Sequence, residues 1–277
     1  MTIDPAGFPA PPALVEHARR FRAEGGVPAA PRVAATVLLL RPAGAGFEVY
    51  LIRRVAAMAF GGMYAFPGGG VDRSDSEAHL DWAGPAPAEW GERLGLAPDA
   101  AQAVVCAAAR EVFEEAGVLL AGADPASVLG DVSGDEWETA RVALEQREVG
   151  FAQLLADRRL TLRSDLLLPW SRWITPEFEP RRFDTYFFVA LLPEGQRTRD
   201  VSREADRTLW LPPAEARARA EAGELNMLPP TLVTLGQVAA AGDLAGVARA
   251  AADRDAATPV TPRLDDPEGG EPRFRLR

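Results

Sequence analysis

The sequence predicts an α/β fold in which a mixed β-sheet lies between helices. Two observations lead to this prediction. Apolar and aromatic stretches of strand length alternate along the chain with longer segments of helical periodicity. The first two strand segments are separated only by the short loop 42–46, which predicts an antiparallel hairpin. Strands separated by helices, together with a hairpin, are typical of a sandwich with a mixed sheet.

The first elements are predicted as follows. Residues 1–12 are rich in proline and suggest a loose arm, and 13–24 have the spacing of a short amphipathic helix. The hairpin strands are predicted over 32–41 and 47–54, where valine, leucine and isoleucine recur. The glycines at Gly68–Gly70 predict either a turn or a close approach of main chain to a ligand.

A long helix is predicted in the middle of the chain. A short helix near 87–94 precedes it. Asp99 is suited to cap the long helix while Gln102 reaches back to the first turn. Gly117 is a natural terminator because glycine adopts left-handed backbone angles readily. The predicted helix therefore covers residues 99–116.

The second half of the chain is predicted to add two strands and several helices. Residues 136–158 and 213–253 have helical patterns, the latter interrupted by prolines and a glycine. Residues 181–192 alternate and are rich in aromatic side chains, which predicts a strand, and 208–211 form another short one.

These elements divide the chain into four parts. An arm with a short helix occupies 1–31, and the main domain occupies 32–212 with an insertion at about 76–102. Helices that pack on the domain are predicted over 213–257. Residues 258–277 carry repeated prolines and glycines and are predicted to be disordered.

Composition narrows the classes of function. Of the 277 residues, 47% are hydrophobic and 25% are charged, which is enough for a sizeable core. A net charge of −10 argues against nonspecific binding to nucleic acid or to an anionic membrane surface. The one cysteine, Cys106, excludes an internal disulfide and lies among alanines, so we expect it to be buried. With no signal-peptide pattern and no run long enough to span a membrane, a cytoplasmic location is expected.

Three glutamates on the long helix are the candidate functional residues. Glu111, Glu114 and Glu115 share one face because residues three and four apart are neighbours on a helix. They also lie in its last two turns, where the helix dipole disfavours each anion by about 0.3–1 kcal/mol. A solvated acidic face is the ordinary interpretation of such a pattern. A hard divalent cation, which prefers carboxylate oxygens, explains why anions gather at an unfavourable position.

The pattern around these glutamates resembles the Nudix hydrolase family, whose box reads G-x5-E-x7-R-E-U-x-E-E-x-G-U, where U is a bulky aliphatic residue. The second half of the box is matched at every fixed position, by Arg110, Glu111, Val112, Glu114, Glu115, Gly117 and Val118. In the first half, Gly69 matches, and Asp75 stands where the family has glutamate. The spacing from Gly69 to Arg110 is 41 residues, against 14 in the family pattern, so 27 residues are predicted to be inserted.

The resemblance implies roles for individual residues. It implies a Nudix α/β/α sandwich in which Glu111, Glu114 and Glu115 bind Mg²⁺ or Mn²⁺ and Arg110 orients them by ion pairing. It also implies that Gly68–Gly70 contact substrate.

Other site assignments come from residue type. Arg182 is a candidate phosphate contact, with an exposed strand end as the alternative. The resemblance also implies a further carboxylate, as base or extra ligand, for which Glu204 is the first candidate and Glu177 or Glu179 the next, with an ordinary surface glutamate as the alternative for each. Two tryptophans, Trp170 and Trp173, are interpreted as aromatic core or as an adenine site.

The position of the insertion resembles the peroxisomal branch of Nudix enzymes that act on coenzyme A, as do segments 66–72, 182–185 and 228–231. One motif residue of coenzyme A hydrolases differs, because Met58 stands where that motif has arginine. The substrate implied is a nucleoside diphosphate derivative, coenzyme A or acyl-coenzyme A first. ADP-ribose, NADH or another dinucleotide is the first alternative, and a catalytically silent domain that senses a nucleotide or binds a protein is the second. A homodimer is compatible with the sequence.

Overall fold

The computed structural model describes residues 7–57, 60–76, 80–199, 204–267 and 270–276. Within these ranges the predicted fold class is confirmed, because a mixed β-sheet lies between helices. The helices are α1 Pro12–Ala23, α2 Pro87–Leu94, α3 Pro98–Ala116, α4 Asp135–Glu145, α5 Phe151–Asp157, α6 Pro213–Glu221, α7 Pro229–Ala240 and α8 Leu244–Ala252. The strands are β1 Phe8–Pro9, β2 Arg32–Ala43, β3 Gly46–Arg54, β4 Tyr64–Ala65, β5 Gly68–Gly70, β6 Trp82–Ala83, β7 Ala121–Gly122, β8 Thr161–Arg163, β9 Leu168–Ile174, β10 Phe183–Leu191, β11 Ala205–Leu211, β12 Pro259–Val260, β13 Pro262–Asp265 and β14 Arg273–Leu276.

The central sheet has the strand order β11-β3-β2-β10-β9-β12. Strand β2 runs antiparallel to β3, as the hairpin predicted, and parallel to β10. Its first half pairs instead with β5, where Ala34 faces Gly70 and Thr36 faces Gly68. These glycines, for which the sequence predicted either a turn or a close approach to a ligand, therefore form a short strand, and the sheet holds their main chain beside β2.

Helices cover both faces of the sheet. On one face, α2 and α3 pack on β2, β3 and β10 through Val104, Ala108 and Val112 of α3. On the other face, residues of α6, α7 and α8 pack on the same strands and on β9. Helices α4 and α5 cover the side of α3 that faces away from the sheet, so α3 is buried along most of its length. Its alanines, Ala107–Ala109 among them, allow this close packing on several sides.

The predicted long helix is present, but its start differs from the prediction. Helix α3 begins at Pro98 with Ala97 as the N-cap, and Asp99 lies in the first turn without capping it. Proline suits this first position because its missing N–H group would have no partner there. The end is as predicted, since Gly117 has φ +67° and its N–H donates to the Phe113 carbonyl at 3.0 Å.

The prediction of a loose arm and a disordered tail was wrong for the described residues. Strand β1 pairs with β14, and β14 pairs with β13, so the two ends of the sequence form one small sheet. Helix α1 packs against this sheet through Val15 and Ala18, which meet Leu264 and Phe274. Burial of these apolar side chains stabilises segments whose prolines and glycines suggested disorder. We call α1, β1, β13 and β14 the terminal unit.

Two further points concern the other helices. The helical segment predicted over 136–158 is two helices, α4 and α5, separated by residues 146–150. No single helix among the described residues is long and apolar enough to cross a membrane. Helices α7 and α8 are long and apolar enough when taken together, but they meet at a bend of 113°.

Candidate active site

A cleft of about 630 Å³ opens over the half of the sheet where β5, β2, β10 and β9 lie side by side. Its floor includes Ala34 and Thr36 of β2 and Thr185 and Phe187 of β10. Alternate residues of a strand point to the same face, so these side chains form one continuous surface. Gly68–Gly70 and the carboxyl-terminal part of α3 border the cleft at the β5 side. A cleft of this volume suits a ligand of nucleotide size.

The three glutamates of α3 lie at this border, in the last turns of the helix, as the sequence predicted. Glu111 is 7% exposed and Glu115 is 3% exposed, whereas Glu114 is half-buried. Glu111 and Glu114 line the cleft. Carboxylates are seldom buried to this extent unless they are paired or coordinate a metal ion, so their partners decide what the site can do.

Arg110 is the main partner of this cluster. Its guanidinium donates to Glu111 Oε1 at 2.8 Å and to Glu114 Oε1 at 3.1 Å. It also donates to both carboxylate oxygens of Asp75 at 3.0 Å and to the Gly70 carbonyl at 2.8 Å. Burial lowers the pKa of Arg110, but the charge of Glu111 and the hydrogen bonds to Asp75 outweigh it and raise the pKa overall. Arg110 therefore stays charged and orients the glutamates.

Asp75 holds this arginine in place. Its side chain is fully buried and forms the paired contact with Arg110 described above. It also accepts a hydrogen bond from the Asp72 N–H at 2.8 Å, which fixes the short 3₁₀ turn Arg73–Asp75. Asp75, which stands where the family has glutamate, thus pairs with Arg110 of the box, although an aspartate side chain is one methylene shorter than that of glutamate.

Glu115 has one satisfied and one unsatisfied oxygen. Its Oε2 accepts a hydrogen bond from the Gly68 N–H at 2.7 Å. Its Oε1 is buried and, within the described residues, has no hydrogen-bond partner. Burial and the neighbouring charge of Glu111 raise the pKa of Glu115 well above its usual value. An unpaired buried oxygen costs free energy, and a bound cation would remove that cost.

Glu111 depends on the absence of a side chain at Gly69. A Cβ atom at Gly69 would lie 2.4 Å from Glu111 Oε1, which is far inside contact distance. Burial raises the pKa of Glu111 to about 8; the charge of Arg110 opposes this rise and the charge of Glu114 adds to it. Burial also raises the pKa of Glu114, against the opposing charge of Arg110. All three carboxyls thus bind protons more tightly than free glutamate, first because they are buried and then because other anions lie close to them.

The donor set fits a divalent cation. Each glutamate has one oxygen that accepts a hydrogen bond within the protein, and Glu115 also has a buried oxygen without a hydrogen-bond partner among the described residues. Oxygen donors of this type are those that Mg²⁺ and Mn²⁺ prefer. The described residues contain no group of three acidic, histidine or cysteine side chains already arranged around a common point.

The other predicted site residues have different outcomes. Glu204 lines the cleft, and its charge acts on both Glu111 and Glu115. Glu179 also lines the cleft, but Glu177 does not. Trp173 is part of the cleft wall, whereas Trp170 is a core residue whose indole N–H donates to Gln237.

Arg182, assigned to the substrate from its residue type, lies outside the lining of the cleft, and its assignment stays a prediction. Its guanidinium donates to the carbonyls of Thr175 and Ala29, at 3.1 and 2.8 Å, and it does not line the cleft. Its neighbour Phe183 lines the cleft instead. Met58, the motif position that differs from coenzyme A hydrolases, lies outside the described residues.

Arg54 is a cleft residue that the sequence patterns did not reveal. It lies at the end of β3 and lines the cleft. Burial raises the pKa of Glu115, and the charge of Arg54 opposes that rise, so this cation acts on the acidic cluster. A basic residue at the end of a strand and before a glycine-rich segment was the available signal.

Comparison with known proteins tests whether the chain belongs to the Nudix family. A family model described as the NUDT19 Nudix domain matches residues 88–238, just over half of the chain. The chain belongs to this Nudix family. The resemblance stated from the box, and the branch to which it pointed, are therefore confirmed. The match begins within the predicted insertion, so the insertion itself stays a prediction.

Two named proteins and one solved structure are similar to this chain and support the same family. The chain is similar to the acyl-coenzyme A diphosphatase NUDT19 of Xenopus laevis, with 25% identity over 227 residues, 69% of this chain and 60% of that protein. The human protein of the same name shows 29% identity over 226 residues, 68% of this chain and 60% of that protein. The chain thus spans about 60% of the length of these relatives. A Nudix hydrolase structure from Alicyclobacillus acidocaldarius has 27% identity and a TM-score of 0.62, and the match covers 76% of this chain and 92% of that one.

Proposed function

We propose that this chain is a divalent-metal-dependent diphosphatase that hydrolyses the diphosphate linkage of coenzyme A or an acyl-coenzyme A. The observation that carries the proposal is the acidic cluster at the end of α3. It keeps a buried oxygen of Glu115 without a partner beside a cleft large enough for a nucleotide. A cluster made only for stability would be better built from paired or apolar side chains.

The roles follow from the contacts. Glu111, Glu114 and Glu115 would hold Mg²⁺ or Mn²⁺. A bound ion of this kind polarises phosphoryl oxygens and lowers the pKa of a bound water. Arg110, fixed by Asp75, keeps the three carboxylates at the border of the cleft. Glu204 lines the cleft and its charge acts on Glu111 and Glu115, so we propose it as the carboxylate that accepts the proton of the attacking water.

The substrate class is supported by two observations. The relatives named above are acyl-coenzyme A diphosphatases, and the cleft joins an acidic border to an apolar wall. Coenzyme A has a matching character, with a nucleotide and a diphosphate at one end and a long, less polar arm at the other. ADP-ribose and NADH carry a second sugar in place of that arm. The cytoplasmic location and the homodimer compatible with the sequence stay predictions.

A panel of substrates tests this proposal. Coenzyme A, acetyl-coenzyme A, ADP-ribose, NADH and diadenosine polyphosphates are each incubated with the chain and Mg²⁺ or Mn²⁺, and products are identified by mass spectrometry. We expect 3′,5′-ADP and a phosphopantetheine product from coenzyme A, and none in the presence of a chelator. Cleavage of ADP-ribose or NADH but not of coenzyme A would overturn the substrate class. No cleavage of any compound would favour the silent, nucleotide-sensing domain instead.

A further inference from the structure

The terminal unit contributes to the wall of the cleft. Leu14 of α1, Pro262 of β13 and Phe274 of β14 all line the same cleft as Glu111 and Glu114. The first and last described segments are therefore part of the site, although the sequence predicted a loose arm and a disordered tail. Neither the box nor the long helix suggests this contribution.

The terminal unit is attached firmly at this place. Arg19 donates two hydrogen bonds to the Asp266 carboxylate, each 2.7 Å long, and joins α1 to the end of β13. Phe274 stacks on Phe178, with 6.1 Å between ring centroids. His17 forms a 2.8 Å hydrogen bond with the Phe178 carbonyl, so the unit is also tied to the segment between β9 and β10. These contacts make a fixed wall rather than a loosely attached cover.

The order of the strands gives the distance of this wall from the carboxylates. Glu111 and Glu115 lie against β5, and the floor then crosses β2, β10 and β9 to β12. Val260 of β12 pairs with Trp173 of β9, and Pro262 follows two residues later. With about 4.8 Å between neighbouring strands, three to four spacings amount to roughly 14–19 Å. A diphosphate at the carboxylates reaches the terminal unit only through a long substituent.

The residues that line this far end of the cleft are mainly apolar. Besides the three residues of the terminal unit, Ile174, Pro176 and Phe183 line it. One carboxyl, Glu179, also faces the cleft; burial raises its pKa, and the charge of His17 opposes the rise. Apolar surface of this kind gains free energy when it is covered by apolar substituents of a ligand.

We propose that the terminal unit binds the acyl chain of the substrate and sets a preference for long acyl chains, with Leu14 as the residue that contacts the chain. This inference rests on the proposed function. The extended pantetheine arm of coenzyme A spans a comparable distance, so an acyl chain on its thiol begins at the wall. Free and short-chain coenzyme A offer the wall little apolar surface, so both react with similar kinetics. A longer chain such as decanoyl covers the wall and binds more tightly.

A matched pair of variants on the same helix tests the inference. Leu14→Ala removes the contact, whereas Phe21→Ala removes an apolar side chain that packs on the same cluster but does not line the cleft. We expect Leu14→Ala to raise the KM for decanoyl-coenzyme A roughly 10-fold, since a few methylene contacts are lost. The KM for free coenzyme A changes much less, so the ratio of the two KM values shifts, whereas Phe21→Ala leaves this ratio as in the wild type. Leu14→Glu, which places a charge in the wall, gives a larger rise in the same KM.

A binding measurement separates this inference from the proposed function. Calorimetric titration of decanoyl-coenzyme A and free coenzyme A into the chelator-treated protein reports binding without hydrolysis, and circular dichroism checks that each variant is folded. A folded Leu14→Ala protein whose preference for decanoyl-coenzyme A equals that of the wild type would overturn the role of the terminal unit, even with full diphosphatase activity. A lost preference in the binding experiment, with no hydrolysis by any variant, would support the wall and overturn the proposed reaction.

Discussion

At the scale of single residues, the site is governed by Arg110 and the four carboxylates around it. Arg110 contacts Asp75, Glu111 and Glu114 at once, and this buried cation offsets part of the repulsion among the anions. Glu115 makes no such ion pair with the described residues, and burial and the charge of Glu111 raise its pKa. The box pattern identified the glutamates and the arginine. It could not show that Asp75 is the fixed partner of Arg110, because 35 residues separate them in the sequence.

Metal binding is expected to depend on pH. The pKa of Glu111 is raised from 4.5 to about 8 in the folded chain, so between these values the folded state binds a proton that the unfolded state has lost. The metal-free fold therefore loses stability as pH rises through this window. Because a divalent ion must displace that proton, its affinity rises over the same window. We expect Mg²⁺ to raise the Tm more at about pH 8.5 than at about pH 6.

The control for this prediction is Glu111→Gln, which cannot titrate at that position. Thermal unfolding is measured for both proteins with Mg²⁺ and with chelator at each pH. In the variant, the loss of metal-free stability with rising pH is expected to be smaller. Equal metal-induced shifts in Tm at the two pH values in the wild type would contradict the account of Glu111.

At the scale of elements, α3 and β5 build the site together. The helix could be predicted from its periodicity and from Gly117, because both signals are local. The strand character of Gly68–Gly70 could not, because it depends on pairing with β2, whose residues lie more than 30 positions earlier. Strand β9 was missed for a similar reason: Pro169 and Ser171 interrupt its apolar pattern, and its pairing with β10 and β12 stabilises it.

A pair of glycine substitutions tests the packing of β5 against α3. In Gly69→Ala the new methyl group would meet the Glu111 carboxylate, whereas at Gly70 the nearest atom to such a group is 4.0 Å away. The Glu111 carboxylate is the end of a flexible side chain, so it moves aside at little cost to stability. We expect Gly69→Ala to lower kcat about 100-fold, the scale of a misplaced catalytic group, with an almost unchanged Tm.

Gly70→Ala serves as the matched control, and its kcat is expected to stay close to that of the wild type. Steady-state kinetics and thermal unfolding are measured for both variants. Equal kcat values for the two variants would show that the close approach of Gly69 to Glu111 does not matter for catalysis.

At the scale of the whole molecule, contacts between residues far apart in the sequence determine the features that sequence patterns do not predict. The sandwich and its helical layers could be predicted, because the alternation of strands and helices is visible along the chain. The terminal unit could not, since Arg273 bonds the carbonyl of Gly7 from 266 positions away. Its apolar residues, such as Leu264 and Phe274, are too few for a local pattern and are buried only when α1 lies against them. The same long-range packing extends the cleft beyond the residues of the box.

The most direct test of the central claim is the metal-dependent hydrolysis of coenzyme A by Glu115→Gln. Glutamine keeps the size of the side chain and an oxygen that accepts the hydrogen bond from Gly68, but it removes the charge that a cation needs. The exposed Glu136→Gln variant, outside the cleft, is the control. We predict a loss in kcat of at least about 100-fold for Glu115→Gln, with its fold retained, and an unchanged kcat for the control. Near-normal kcat for a folded Glu115→Gln protein would contradict the assignment of this acidic cluster as the catalytic metal site.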